Sequence, residues 1–381
     1  MSSSIKIVHT ADNHIGKQFR NYPPVVKDRL VNERFEALQR IVERANDVAA
    51  HFVVVAGDLF DNHNVAVRDI RRVGDILSKF NGQVLILPGN HDFYENTSNG
   101  FWQKFQQLNP QDNLQILGEY EPLEYNIGDR KIKFYPAACQ SKHSAENMIG
   151  WVSEYLKARP ALQPGGPDVL NIGIAHGNVE GLGLGADRYF NMLPAELRSA
   201  GMDCWLLGHI HVPYPEQASS INPGFLFAAT HTPDSFDYKK DGCCWYLEFD
   251  EEKKMKMEQW RTGAIRFYQY NLTLLSEMDI ETMNAELSKI DQESSLVKIH
   301  LSGRLTRENL KHLNQECERL KEVMLYCEIH NTVGLNIDRT FINGQYTQAS
   351  LPHKLLTSLA DEAPNDLALQ LAHQLMEEVK Q

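Results

Sequence analysis

Five times in this chain an apolar run of strand length ends in structure-breaking residues followed by side chains able to hold a metal, and that repetition restricts the fold more than any other feature. Ile5-Lys6-Ile7-Val8 runs toward Asp12-Asn13-His14, and Phe52-Val53-Val54-Val55 toward Gly57-Asp58. Val84-Leu85-Ile86-Leu87 passes through Pro88-Gly89 to Asn90-His91-Asp92. Leu170-Asn171-Ile172-Gly173-Ile174 leads to His176-Gly177, and Cys204-Trp205-Leu206-Leu207 to Gly208-His209-Ile210-His211. Short apolar runs closed by Gly or Pro read as buried strands. Open α/β sheets bind their ligands beyond the carboxyl ends of such strands.

The segments between the first runs are helical. Asn32 to Ala49 carries Phe35, Leu38, Ile41, Val42, Ala45 and Val48 at helical spacing, and Arg68 to Phe80 repeats the pattern with Ile70, Val73, Ile76, Leu77 and Phe80. Strand, helix, strand in succession makes crossover units, so the sheet core is expected to be parallel. Short strands and turns are expected from Leu114 to Pro136, then a helix near Ala145 to Ala158 and a Pro/Gly-rich loop from Pro160 to Pro167. Strands near Phe225 to Ala228, Cys244 to Phe249 and Met255 to Trp260 are expected in a second sheet packed on the first.

Past Ile265 the strand-end motifs stop. Strands at Gln269 to Leu275, Leu296 to Leu301 and Val323 to Ile329 alternate with helices at Asp279 to Ile290 and after Thr306, a suitable N-cap. A final helix aligns Leu367, Leu371, Leu375 and Val379 on one side, open between packing on its own domain and receiving a partner. The expected organisation is a main domain over 1–264, a small α/β domain over 265–345 and a helical tail over 346–381.

Composition narrows the function classes. No apolar run reaches membrane-spanning length and the amino terminus lacks a signal-peptide pattern, which points to a cytoplasmic protein without a membrane partner. The six cysteines form no C-x-x-C pair and read as reduced and mostly buried. A net charge of -12 argues against coating nucleic acid through the overall field, but not against a local basic contact beside bound cations. Gly16 to Tyr22, with Lys17 and Arg20, offers such a contact, and a solvated loop is the equal alternative.

Carboxylate, imidazole and amide oxygen suit divalent ions such as Mn²⁺, Fe²⁺ or Zn²⁺, and the lack of thiolates disfavours structural zinc. The donors suffice for two ions, and a pair about 3.5–4 Å apart stabilises both attacking and leaving oxygens in phosphoryl chemistry. Taken singly, Asp12 and Asn90 could be turn residues and His176 a buried histidine bonded to backbone. Jointly that reading fails.

Asp12-x-His14, Gly57-Asp58-x-x-Asp61, Gly89-Asn90-His91-Asp92, His176-Gly177 and Gly208-His209-x-His211 together resemble the calcineurin-like metallophosphoesterases. Within that family, His9-Thr10-Ala11-Asp12, Gly57-Asp58-Leu59-Phe60-Asp61 and Leu207-Gly208-His209-Ile210-His211 are similar to the SbcD-type DNA repair exonucleases, relatives of the meiotic-recombination-eleven nuclease. The resemblance spans Ile5 to Phe249 and is weaker beyond Ile265. It implies two packed mixed sheets flanked by helices, with a smaller C-terminal α/β capping domain.

It also implies a ligand set: one metal on Asp12, His14, Asp58 and His211, another on Asp58, Asn90, His176 and His209, with His91 catalytic and Asp61 orienting His91. Archaeal and eukaryotic relatives carry histidine where this chain has Asp61, so the bacterial branch matches better. The implied activity is a manganese-supported DNA exonuclease and endonuclease of double-strand break repair, a homodimer acting with an SbcC-type SMC-like ATPase. Phe101, Trp102 and Phe105 suit either that family's helical dimer contact or the core, and Lys142-His143 and Asp187-Arg188-Tyr189 either DNA contact or solvated loop. The alternatives are a phosphoesterase of another substrate class, such as a cyclic-nucleotide phosphodiesterase or phosphoprotein phosphatase, and a non-catalytic scaffold.

Overall fold

The computed structural model describes residues 4–159, 169–182, 189–219, 221–362 and 366–380. The expected loop at Pro160 to Pro167 and the Asp187-Arg188 pair lie outside them. The chain divides into two compact units, Met1–Arg266 and Phe267–Gln381.

In the first unit, β1 (Ile5–Thr10), α1 (Pro24–Asp47), β2 (Phe52–Ala56), α2 (Val67–Leu77), β3 (Gln83–Leu87), α3 (Phe101–Leu108) and β4 (Leu114–Ile116) follow in crossover order. They are followed by β5 (Leu123–Ile127), β6 (Arg130–Ala137), α4 (Gly150–Lys157), β7 (Val169–His176), α5 (Pro194–Ser199), β8 (Cys204–Gly208), β9 (Phe225–Phe227), β10 (Cys243–Phe249) and β11 (Met255–Arg261). One sheet has the order β11-β10-β1-β2-β3-β4 and the other β5-β6-β7-β8-β9. Strands β1 to β4 are parallel to one another, as are β6 to β9; β10 pairs antiparallel with β1 and β11, and β5 with β6.

The expected second sheet is present, but β10 and β11 do not join it. They extend the first sheet through β1, with Ile7 opposite Leu247 and His9 opposite Trp245. Their own sequences state only that they are strands. Which sheet they enter depends on a long connection, whose Thr230 bridges Ala11 at the end of β1.

Side-chain alternation builds four layers. Ile5, Ile7, Val54 and Leu85 face Phe134, Ile172, Leu206 and Leu226 of the other sheet across the middle core. Val8, Val53, Val55 and Ile86 point the opposite way, onto Phe35, Leu38, Ile70 and Val73 of α1 and α2. Tyr135, Trp205 and Phe227 receive Val152 and Leu156 of α4 and Leu197 of α5. Burial on both faces is why these strands are continuously apolar.

Phe101, Trp102 and Phe105 belong to the core and are therefore no dimer contact: they are 7%, 1% and 0% exposed, ring to ring with Phe60. The Trp102 indole N–H also bonds the Asp92 carbonyl. The cysteines are free thiols, and all are buried except half-buried Cys327.

The second unit contains β12 (Arg266–Leu274), which starts at the division, then α6 (Glu277–Leu287), β13 (Ser295–Leu305), α7 (Arg307–Val323), β14 (Tyr326–Asn331), β15 (Gly334–Leu335), α8 (Arg339–Gln345), α9 (Leu351–Glu362) and α10 (Asp366–Lys380). Thr306 caps α7, its hydroxyl accepting the Asn309 N–H at 3.2 Å. A separate tail from 346 was expected; instead Tyr346, Leu356 and Leu369 share a core with Ile337 and Ile342. The stripe Leu367, Leu371, Leu375 and Val379 stays exposed.

Trp102→Ala should cost about 3–5 kcal/mol in denaturant unfolding, the usual loss for a buried aromatic, without changing the oligomeric state. Lost assembly at unchanged stability would place the aromatic cluster at an interface instead.

Candidate metal centre

Every strand-end motif converges on the common carboxyl edge of the two sheets. From the first sheet come Asp12 and His14 after β1, Asp58 after β2, and Asn90 and His91 after β3; from the second come His176 at the end of β7, and His209 and His211 after β8. Strand ends deliver these side chains inward only if the backbone turns sharply. Asp12, His14, Asp58 and His209 have φ of 52°, 43°, 53° and 96°, in the left-handed region that costs a side-chain-bearing residue free energy and persists where the surroundings enforce it.

The glycines of the motifs are there for closeness. A Cβ on Gly57 would lie 2.0 Å from His176 Nδ1, and one on Gly89 2.2 Å from Asp58 Oδ1. Only hydrogen fits between these layers.

Ligand-type atoms of Asp12, His14 and His211 lie within 4.8 Å of one another, as do those of His14, Asp58 and His91 and those of Asp12, Asp58 and His176. His14 Nε2 and His211 Nε2 face each other at 3.2 Å. On the other side, Asn90 Oδ1 is 3.0 Å from His176 Nε2 and 3.1 Å from His209 Nδ1. Asp58 Oδ2 stands between the halves, 3.7 Å from His14 Nε2 and 3.3 Å from His176 Nε2. That is the place of a bridging carboxylate, so all seven expected ligands meet in one site.

The electrostatics fit divalent cations. Asp12 and Asp58 are buried, at 0% and 2% exposure. Burial raises the Asp12 carboxyl's pKa, reinforced by the charge of Asp58 and opposed by His176. Burial acts the same way on Asp58, but the His176, His14 and His91 imidazoles outweigh it and hold that carboxyl below its usual range. His14 is lowered by burial and therefore presents a neutral ring, the form that ligates metal. Converging lone pairs and crowded carboxylates make a donor set that cations would satisfy, and two divalent ions fit it.

His91 lies at the edge of the cluster, its ring edge-on to His14 at 4.8 Å between centroids. Its backbone N–H donates to Asp58 Oδ1 at 2.8 Å, and its ring Nδ1 lies 2.9 Å from the Asp61 carbonyl. A carbonyl only accepts, so Nδ1 carries the proton and Nε2 is left for the substrate.

Asp61 holds His91 through its main-chain carbonyl, while its carboxylate turns elsewhere. Its Oδ1 lies 3.4 Å from His14 Nδ1. Burial alone would raise the Asp61 pKa, yet His14 brings it below the usual range. Asp61 thus braces an imidazole of the candidate ligand set, as carboxylates commonly do for ligating histidines, and turns its main chain to His91.

Lys17 bonds Asp234, and Arg20 lies exposed with Nε on Gln18. His143 and Tyr189, expected on separate loops, are in ring contact at 4.4 Å.

Three supporting residues, Thr230, Arg34 and Asp234, escaped the sequence reading, and Asp92, singled out there as a possible donor, has a supporting place. Asp92, 0% exposed, accepts the Gly89 N–H at 2.7 Å and the Phe60 N–H at 2.9 Å, tying two ligand loops together. The Thr230 hydroxyl donates to the Asp12 carbonyl at 2.9 Å, and its N–H to the His211 carbonyl at 3.1 Å. Arg34 donates to the Asn13 carbonyl at 2.6 Å and to Asp234 at 2.9 Å. Arg34 was detectable, since it falls four residues from both Leu30 and Leu38 on the buried face of α1.

The family that the sequence matches agrees with this chemistry. The family described as calcineurin-like phosphoesterase matches residues 5–213. An uncharacterized metallophosphoesterase, YhaO of Bacillus subtilis, is 26% identical over 236 residues, 59% of this chain and 53% of that protein. The DNA double-strand break repair protein Mre11 of Methanosarcina acetivorans is 34% identical over 102 residues, 26% of this chain and 16% of that protein. The chain thus spans about half or less of these relatives' length. Among solved structures, a dimetal phosphatase from Danio rerio aligns with 68% of this chain and 99% of its own at 12% identity and a TM-score of 0.40.

Calorimetric titration with Mn²⁺ should show Asp58→Ala losing more than about 100-fold in affinity and Asp61→Asn about 10-fold, the scale for a residue supporting a ligand. His91→Ala should keep both ions, and loss of either ion there would make His91 a ligand.

Proposed function

The chain belongs to the calcineurin-like phosphoesterases, and on that premise we propose that it is a cytoplasmic DNA exonuclease and endonuclease of double-strand break repair, the manganese-dependent nuclease partner of an SMC-like ATPase. The observation that carries the hydrolytic part is the donor set gathered around Asp58, with His91 at its edge and bonded through its backbone N–H to that carboxylate. The DNA part is supported by the segment resembling a protein named for double-strand break repair, and by the basic loop that follows His14.

In this reading Asp12, His14, Asp58 and His211 would hold one ion, and Asp58, Asn90, His176 and His209 the other. Two such ions supply Lewis acidity, neutralising phosphate charge and making water nucleophilic at neutral pH. The protein's own residues do the rest. His91, fixed through its Nδ1–H, would in its doubly protonated form give the Nε2 proton to the departing sugar oxygen as that P–O bond breaks, and a proton lost by the attacking water would restore it. Asp61 and Thr230 keep the ligands of the first ion in place, and Asp92 ties the loops that carry Asp58 and Asn90.

The partner part is supported by exposed apolar side chains on α9 and α10. Leu351, Leu355, Leu367, Leu371, Leu375 and Val379 are 43–87% exposed, a surface suited to a helical partner such as the ATPase. A homodimer belongs to the same proposal, with its contact elsewhere than the buried aromatic cluster.

Mn²⁺-dependent release of nucleotides from linear duplex DNA, measured beside hydrolysis of an aryl phosphodiester, should show both activities. The His91→Ala enzyme should lose about 10²–10⁴-fold in turnover, the usual contribution of a proton donor. Aryl diester turnover without DNA degradation would assign another substrate class. Loss of both with ions bound would leave a scaffold.

A further inference from the structure

Beside the metal centre lies a charged triad that the ligand set does not use. The Asp234 carboxylate, on the connection between β9 and β10, accepts from Arg34 at 2.9 Å and from the Lys17 ammonium. Arg34 is 1% exposed on α1, whereas the Lys17 side chain keeps 34% of its surface. Phe19 lies beside both cations, its ring centroid 5.8 Å from Lys17 Nζ and 5.5 Å from the Arg34 guanidinium.

Counted as charges, the triad has two cations to one anion. A buried ion pair is retained at a desolvation cost, and here Arg34 offsets Asp234 almost entirely inside the protein. Lys17 is therefore left with its positive charge effectively uncancelled and facing outward. One of its three N–H donors is on Asp234, and the other two remain for a ligand.

Its position is the second observation. The Lys17 N–H bonds the His14 carbonyl at 3.2 Å, so the residue starts from the turn that carries a ligand. Its ammonium is held on Asp234 beside the Arg34 that also bonds the Asn13 carbonyl, the residue before His14. The ammonium thus stands at the rim of the half built from Asp12, His14 and His211.

We propose that Lys17 is the phosphate-recognition residue of this centre, aimed by its bond to the Arg34-paired Asp234, and that it contacts a non-bridging oxygen of the substrate's phosphate. This rests on the phosphoesterase reading and not on DNA as the substrate. Asp234 and Arg34 are positioning residues in it, and only Lys17 touches the anion.

The test is calorimetric titration of the Mn²⁺-loaded full-length protein with inorganic phosphate, alongside Mn²⁺ titration of the apoprotein. Lys17→Met should weaken phosphate binding by about tenfold, the worth of one charge-assisted hydrogen bond, while Mn²⁺ affinity stays within about twofold. Lys17→Arg should retain most of the phosphate affinity. Asp234→Asn should lose part of it with Lys17 still present, and the Lys17 variants decide the matter if that protein does not fold. Phosphate binding by Lys17→Met within about twofold of the parent, or a parallel loss of Mn²⁺, would overturn the proposal. Dependence on Lys17 in a protein that leaves DNA intact would overturn the nuclease reading alone.

Discussion

Burial of negative charge at one edge of a two-sheet fold is what the rest of this molecule must accommodate. Asp12, Asp58 and Asp92 are each at most 2% exposed, and among the described residues no lysine or arginine pairs with them. An uncompensated buried carboxylate costs several kcal/mol. Asp92 is eased by two backbone N–H groups and Asp12 by the His209 N–H, at 3.0 and 3.1 Å. Asp58 has imidazoles on both sides and one N–H from His91. What remains is a deficit of positive charge at one point, which divalent cations remove.

The backbone is arranged around that point. Parallel strands from two facing sheets end together, so short loops can bring donors from opposite layers into contact. The cost is local: left-handed φ at four ligand positions, and glycine where Asp58 and His176 press on neighbouring chain. Arg34, Thr230 and Asp92 hold those turns from behind. The ligand loops are braced from behind in this way, and His91 is set by bonds to the same segments, its N–H on Asp58 and its Nδ1 on the Asp61 carbonyl.

Much of this was legible in the sequence because the signals were chemical and local. Strands buried on both faces must be continuously apolar, which located β1, β2, β3, β7 and β8, and the co-occurrence of Asp, Asn and His after all five named the site. What could not be read was direction and distance. The spacing from Asp58 to Asp61 places a carboxylate near the centre, but not on His14 in preference to His91. Nothing in β10 or β11 says that they extend the first sheet, since that is fixed by Thr230 meeting Ala11 far away in sequence. The Arg34–Asp234 pair, 200 residues apart, joins two segments that each look ordinary alone.

The central claim is that these side chains form one two-ion site bridged by Asp58. Anomalous X-ray scattering from crystals soaked in Mn²⁺ tests it most directly. The account predicts two peaks, one among Asp12, His14 and His211 and one among Asn90, His176 and His209, with Asp58 touching both. A single peak, peaks away from Asp58, or none at saturating Mn²⁺ would contradict it.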